Sequence, residues 1–333
     1  MRLGIDIGGT KTHAVVVDGD VVVASDEAPS GRGPEAVVAV AADLGRRVLA
    51  SVPHPAGSPV VERVGVCVPG LVDPSTGIVR QAVNLGVEEL ELGGAMQRAL
   101  GLDVTVTGDV KAAALWVHRT TPAIPGTRLA YLNLGTGLAA ALIGPDGVVG
   151  GLRGAAGEIG HIPVADSPPC RCGQVGCLEA LASGTALHRI WGRSGPEAGC
   201  PFAAALDGDA LAQEAVDSLC AGTARAIQIL VLAGGATDVV IGGGLTALGD
   251  PLRDGISGAL QRSAAATPLL SSLRLHERFT LRESTVPLAA LGAALAAGQA
   301  VDQRRFVDIR ASVDHDDPMA GDPDDRAVPH QVG

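Results

Sequence analysis

His161, Cys170, Cys172 and Cys177 put one imidazole and three thiols within the seventeen residues "HIPVADSPPCRCGQVGC". Four nitrogen and sulfur donors in a Gly- and Pro-rich loop suit a closed, tetrahedral, structural Zn²⁺. The alternative is a set of buried thiols beside an unrelated histidine; the compact C-x-C-x₄-C spacing in a reducing compartment favours the metal. Two acids flank the loop. Glu158 precedes His161 by three residues and Glu179 follows Cys177 by two, so a metal-pinned loop would fix both carboxylates relative to each other and make a ligand-binding frame of them.

Glycine turns form a second group. "DIGGTKT" sets Asp6 at a strand end, then Gly8 and Gly9, then Thr10 and Lys11. Backbone amides, a hydroxyl and an ammonium are what a phosphate chain needs, and Asp6 could hold Mg²⁺ or its waters. The G-x-x-x-x-G-K-[ST] spacing of a Walker A loop is absent, and one such turn alone is an ordinary hairpin entry. "LGTG" repeats the glycine-hydroxyl chemistry at Gly135, Thr136 and Gly137, and "IGGGL" gives Gly242, Gly243 and Gly244 at a strand-to-helix step. Three turns at strand ends point to a cleft lined by a nucleotide. Asp109, in "VTVTGDVKAAALW", stands where a parallel strand hands over to a helix. It is either a helix cap or a carboxylate at the rim of a sheet.

The elements that must carry these residues form a repeated pattern. "RLGIDIGGTKTHAVVVDGDVVVAS" reads as a strand, a Gly-rich turn and a hairpin closed at "DGD"; "LAYLNLGTGLAAALIGPDGVVGG" repeats that layout. Two copies predict a duplicated α/β fold whose two halves face each other across a cleft. A helix is expected from Pro34 to about Leu49, a strand at "RVGVCV", a helix started by Pro251, and a last apolar helix in "VPLAALGAALAAGQA". The expected division is a smaller α/β domain over 1–115, a larger one with the zinc loop over 116–286, the 287–301 helix packing back on the first, and a disordered acidic tail over 302–333.

Apolar residues make up 47% and aromatics 2%, so the core must be built from Val, Leu, Ile and Ala. A formal charge of −11 with no basic patch excludes a nucleic-acid surface. "MRLGIDIGG" lacks a secretory h-region and no run of about 18 apolar residues follows, so a cytoplasmic protein without a membrane segment is expected.

The marks "DIGGTKT", "GEIGHI" and "CRCGQVGCLE" resemble the ROK (repressor, open reading frame, kinase) sugar kinases, glucokinase-like enzymes, over about residues 1–300. The resemblance implies the actin-like, ribonuclease-H-like duplicated fold, MgATP as phosphoryl donor, a sugar between the domains and a homodimer. It makes Asp109 the catalytic base, and Asp6, Gly8, Gly9, Thr10 and Lys11 the first phosphate turn. Gly135, Thr136 and Gly137 become the second, and the Gly242–Gly244 turn the adenosine side. Asn84, Glu158, His161 and Glu179 become sugar ligands, with His161 also on zinc through its other ring nitrogen. The acceptor is then the primary hydroxyl of a hexose, amino sugar or cyclitol. A sugar-responsive regulator of the same family would need a helix-turn-helix ahead of the first strand, and the strand begins at residue 2; a non-catalytic sugar-binding protein is the other rival. The sequence departs from the family where Asn-Asp-small-Asn is usual: here stand Gly108, Asp109, Val110 and Lys111. The missing asparagine at 108 bears on the sugar's identity. Lys111 is expected to matter less, because residues two apart on a helix point to different faces.

Overall fold

Alternation of β-branched runs with Ala-rich helical stretches gives a mixed α/β chain. The computed structural model describes residues 1–53, 61–122, 126–195, 198–282 and 286–297. The expected acidic tail lies outside the described residues. The first half contains β1 (Arg2–Ile7), β2 (Lys11–Asp18), β3 (Val21–Pro29), α1 (Pro34–Ser51) and β4 (Arg63–Val68). It continues through β5 (Leu71–Asp73), β6 (Ile78–Ala82), β7 (Val87–Glu91), α2 (Leu92–Leu100), β8 (Asp103–Gly108) and α3 (Asp109–Thr120). The second half has β9 (Leu129–Leu134), β10 (Leu138–Gly144), β11 (Gly147–Val148), α4 (Leu178–Leu181), α5 (Gly184–Trp191), α6 (Pro201–Leu206) and α7 (Ala210–Leu232). Last come β12 (Asp238–Gly242), α8 (Asp250–Ala265), α9 (Pro268–Leu273), β13 (Phe279–Leu281) and α10 (Leu288–Ala296).

The duplication is a matter of topology. One five-stranded sheet runs β3-β2-β1-β4-β8 and the other β11-β10-β9-β12-β13. In each, the first two pairings are antiparallel and the last two parallel. This is the duplicated α/β fold that the repeated strand-turn-hairpin pattern predicts, in the actin-like form that the family resemblance implies. A small antiparallel sheet, β5-β6-β7, is inserted after β4. It has no counterpart in the sequence reading: its three-residue first strand overlaps the turn residues "VDPSTG", and two five-residue strands follow.

Three apolar clusters hold the layers. One packs α1 and α2 on the first sheet, and one packs α4, α5, α7 and α8 on the second. A third is shared: Val15 and Val17 of β2, Trp116 of α3, Ile143 of β10, Val240 of β12 and Leu291 of α10 belong to it. Helices α3 and α10 therefore lie between the halves, and α10 packs on β1, β4 and α3. The approach is backbone on backbone. A Cβ on Gly4 would stand 2.0 Å from the Ala290 carbonyl oxygen, one on Gly65 1.8 Å from that of Ala293, and one on Gly292 1.7 Å from that of Ala112. With so few aromatics, the seam closes by removing side chains instead of interlocking them. Helix α7 is long and apolar enough to span a membrane by composition, but eleven of its residues are buried in this fold, most of them in the second core.

Candidate active site and metal centre

All the parallel strands of each sheet end on the side that carries the glycine turns, the edge where open α/β sheets bind ligands. Register aligns Asp6 of β1 with Cys67 of β4, Cys67 with Thr107 of β8, and Val68 with Gly108. The first turn leaves β1 directly. Gly8 N–H donates to the Lys11 carbonyl at 3.0 Å, the Ser30 hydroxyl donates to the Gly8 carbonyl at 2.7 Å, and Ser30 N–H donates to the Thr10 carbonyl at 3.0 Å. Ser30 thus braces the turn from β3's far end, a role no local motif marks. Lys11 directs its ammonium to Glu27 at 2.7 Å on the exposed β2–β3 face. Asn84, in the 3₁₀ turn between β6 and β7, lies against Gly9: a Cβ there would touch that of Asn84 at 3.0 Å.

The second and third turns are neighbours. Gly242 pairs with Asn133 across β12 and β9, and a Cβ on Gly243 would meet Asn133 Oδ1 at 2.9 Å. Gly135 N–H donates to the Gly137 carbonyl at 3.0 Å, and the start of α5 closes over the loop as Gly184 N–H donates to the Gly135 carbonyl at 2.7 Å. Glu179 of α4 reaches the same turn and accepts the Leu138 N–H on Oε2 at 2.9 Å.

Asp109 is the first residue of α3, and Gly108, extended at φ −70°, ψ 145°, is the N-cap. The capping reading of Asp109 is therefore corrected by one position: its carboxylate accepts the N–H of Val110 at 2.8 Å. Burial raises the Asp109 pKa, against the lowering pull of that N–H and of Lys111. Asp6 is pushed up to about 7 by burial and then by the charge of Asp109, while the Cys67 thiol, donating to its Oδ1 at 3.4 Å, and Lys11 pull it down. Burial, with the two nearby aspartates, pushes the Cys67 thiol itself up, so it stays a donor. Asp6, a buried carboxylate at the strand end beside the first glycine turn, is the donor type that Mg²⁺ takes next to a phosphate chain.

Lys111 contradicts the expectation from helix spacing. Its ammonium donates to the Gly154 carbonyl at 2.6 Å and sits in the field of Glu158 and Asp109. At the first turn of a helix no preceding turn screens the end, and a four-carbon side chain is long enough to bend back toward residue 109. Burial raises the Glu158 pKa; Lys111 and His161 oppose it, and Asp109 and Glu179 add to it. Glu158, Glu179, Asp109, Lys111 and His161 thus share one electrostatic environment.

The four metal donors of His161, Cys170, Cys172 and Cys177 all lie within 4.8 Å of one another. Cys170 Sγ is 3.8 Å from His161 Nδ1, and Cys172 Sγ 3.6 Å from Cys177 Sγ. A tetrahedron with Zn–S of about 2.3 Å and Zn–N of about 2.0 Å has edges of roughly 3.5–3.8 Å, so the donor set fits zinc. Nδ1 is the ring nitrogen turned to the sulfurs, which leaves Nε2 for a ligand. Backbone pairs hold the loop, Cys170 N–H to the Gln174 carbonyl and Leu178 N–H to that of Ile162, and Leu178 leads straight into Glu179.

Two matched sheets with glycine turns and carboxylates at their parallel strand ends define an actin-like phosphotransferase architecture. Residues 2–299 match the ROK family. A glucokinase of Halalkalibacterium halodurans is 30% identical over 273 residues, 75% of this chain and 82% of the relative. An N-acetylmannosamine kinase of Citrobacter koseri is 30% identical over 258 residues, 72% of this chain and 82% of the relative. The crystal structure of a ROK family glucokinase from Streptomyces griseus in complex with glucose and AMPPNP has a TM-score of 0.73 at 26% identity, over 90% of this chain and 99% of that one. The chain belongs to the ROK family and is a kinase.

Proposed function

We propose that the protein transfers the γ-phosphoryl group of ATP to the primary hydroxyl of a hexose or hexose-like acceptor, with Asp109 as general base. The observation that carries this reading is the position of Asp109: deep between the halves, at the carboxyl end of β8, in the field of Asp6 on one side and of Glu158 on the other. A carboxylate with a raised proton affinity takes the hydroxyl proton as the oxygen attacks. The turns at Gly8–Thr10 and Gly135–Gly137 offer N–H groups and hydroxyls to the phosphates, and Gly242–Gly244 flanks the adenosine. Bound at Asp6, Mg²⁺ would supply charge neutralisation of the β- and γ-phosphates.

The acceptor side is the zinc loop's product. Glu158, His161 and Glu179 accept or donate to ring hydroxyls, and a zinc ion bound by His161, Cys170, Cys172 and Cys177 would hold their backbone in place. Asn84, beside Gly9, contributes from the other half. Gly108 leaves open space where a side chain would stand, with nothing within 4 Å of an added Cβ. An acceptor hydroxyl near that position goes without a side-chain amide partner, so glucose itself is a mediocre substrate in this reading. The relatives' names support a sugar as substrate class: one is a glucokinase and one an N-acetylmannosamine kinase. The test is ADP release from ATP and Mg²⁺ with a panel of glucose, mannose, their N-acetylated and 2-amino forms, and cyclitols. No turnover above ATP hydrolysis for any of them would defeat the kinase assignment and leave a sugar-binding protein.

A further inference from the structure

Among the described residues, Lys111 is the basic side chain that lies in the electrostatic field of both Asp109 and Glu158. Its place is fixed from two sides. On α3 it is two residues beyond Asp109; across the cleft its ammonium is held by the Gly154 carbonyl at 2.6 Å. Gly154 is itself locked. It is buried at φ +82°, and the Val72 carbonyl of β5 stands 2.1 Å from where a Cβ would be, so only glycine fits at this position. The ammonium is therefore a built part of the pocket and not a surface charge that wandered in.

We infer that Lys111 is a specificity-determining residue of the acceptor pocket: fixed by Gly154 beside Asp109 and Glu158, its ammonium offsets their charge and excludes protonated amino sugars in favour of neutral acceptors. The inference rests on the sugar-kinase reading above. The pocket is otherwise acidic. Asp6 and Cys67 from β1 and β4, Tyr131 from β9, and Glu158 after β11 are the ionisable groups coupled to Asp109 or Lys111. Carboxylates of this number would draw a cationic acceptor in and hold its ammonium in place of a hydroxyl. A lysine already among them offsets part of that attraction and repels a second cation placed beside Asp109 and Glu158. A neutral amide at position 111 would do neither. A neutral hydroxyl or N-acyl acceptor meets no such barrier.

The experiment compares kcat/KM for glucosamine with that for N-acetylglucosamine and glucose, in the wild type and in Lys111→Gln and Lys111→Arg. At about pH 6.5, where a 2-amino group carries its proton, the glucosamine-to-glucose ratio in Lys111→Gln should rise at least about tenfold over wild type, while Lys111→Arg keeps the wild-type ratio. An unchanged ratio in Lys111→Gln, or an arginine variant that behaves as the glutamine one, overturns the inference. Should Lys111→Gln not fold, the wild type decides: its ratio must climb with pH as glucosamine loses its proton, and a flat ratio sinks the idea. A wild type that phosphorylates no sugar removes the kinase reading first, an outcome distinct from active enzyme without charge selectivity.

Discussion

Asp109 and Asp6 are two aspartates with raised proton affinity that the proposed reaction uses in opposite ways. Asp109 must accept a proton in the transition state, so Asp109→Asn should lower kcat by about 10² to 10⁴-fold in steady-state assays. Because Gly108 and not Asp109 is the N-cap, the fold loses only an acceptor for the Val110 N–H, which the asparagine carbonyl replaces; near-normal thermal stability is expected alongside the lost turnover. A variant that turns over at the wild-type rate would return Asp109 to a purely local role at the start of α3. Asp6 makes a prediction about stability. Its pKa stands near 7 in the fold against 3.8 for the free side chain, so between those values the native state holds a proton that the unfolded chain has lost. Stability then falls as pH rises through that window and levels off above it, by a total of the order of a few kcal/mol. In protein free of nucleotide and divalent ions, Tm should drop between about pH 4 and pH 7, and Asp6→Asn should flatten the slope; a slope that is the same in both proteins means other carboxyls carry it.

At the scale of elements, the zinc loop and the strand-end turns were legible because their chemistry is local. Cys170, Cys172 and Cys177 signal a site by spacing alone, and "DIGG" or "IGGG" after an apolar run announces a turn wherever the rest of the chain goes. What was not legible depends on distant partners. Lys111 takes its direction from a carbonyl 43 residues later, that of Gly154, a position packed against Val72 of β5. Ser30 braces the Gly8 carbonyl from 22 residues away. The β5-β6-β7 sheet was missed for a different reason: its strands are short and polar at alternate ends, too weak a pattern to stand out among turn residues. The loop's dependence on metal is testable as a unit. Purified protein should hold about one Zn²⁺ per chain by elemental analysis, and Cys172→Ser should lose the metal and lower Tm, because binding energy in such a site is folding energy. Activity should fall with it, since Glu158, His161 and Glu179 all sit on or beside the loop. Active enzyme with no zinc would refute the assignment.

For the whole molecule, the acidic end of the chain contributes composition but no apolar anchor: six aspartates and little else of note follow Ser312. Removal of residues after 312 should leave kcat and KM unchanged in the coupled assay; a large loss of either would assign the tail a docking role. The seam at α10 has a consequence for how the molecule is made. Gly4 and Gly65 accept no cover other than the bare backbone of Ala290 and Ala293, and α10 is the last described helix of the chain. The first described strand is thus sealed by the last described helix, far along the chain. Until α10 has been made, β1 and β4 lack the cover for one apolar face, whereas the second sheet finds α7 and α8 within its own stretch of sequence. Folding of the first half then waits on a distant segment, and a long wait with apolar surface uncovered favours aggregation over the finished state.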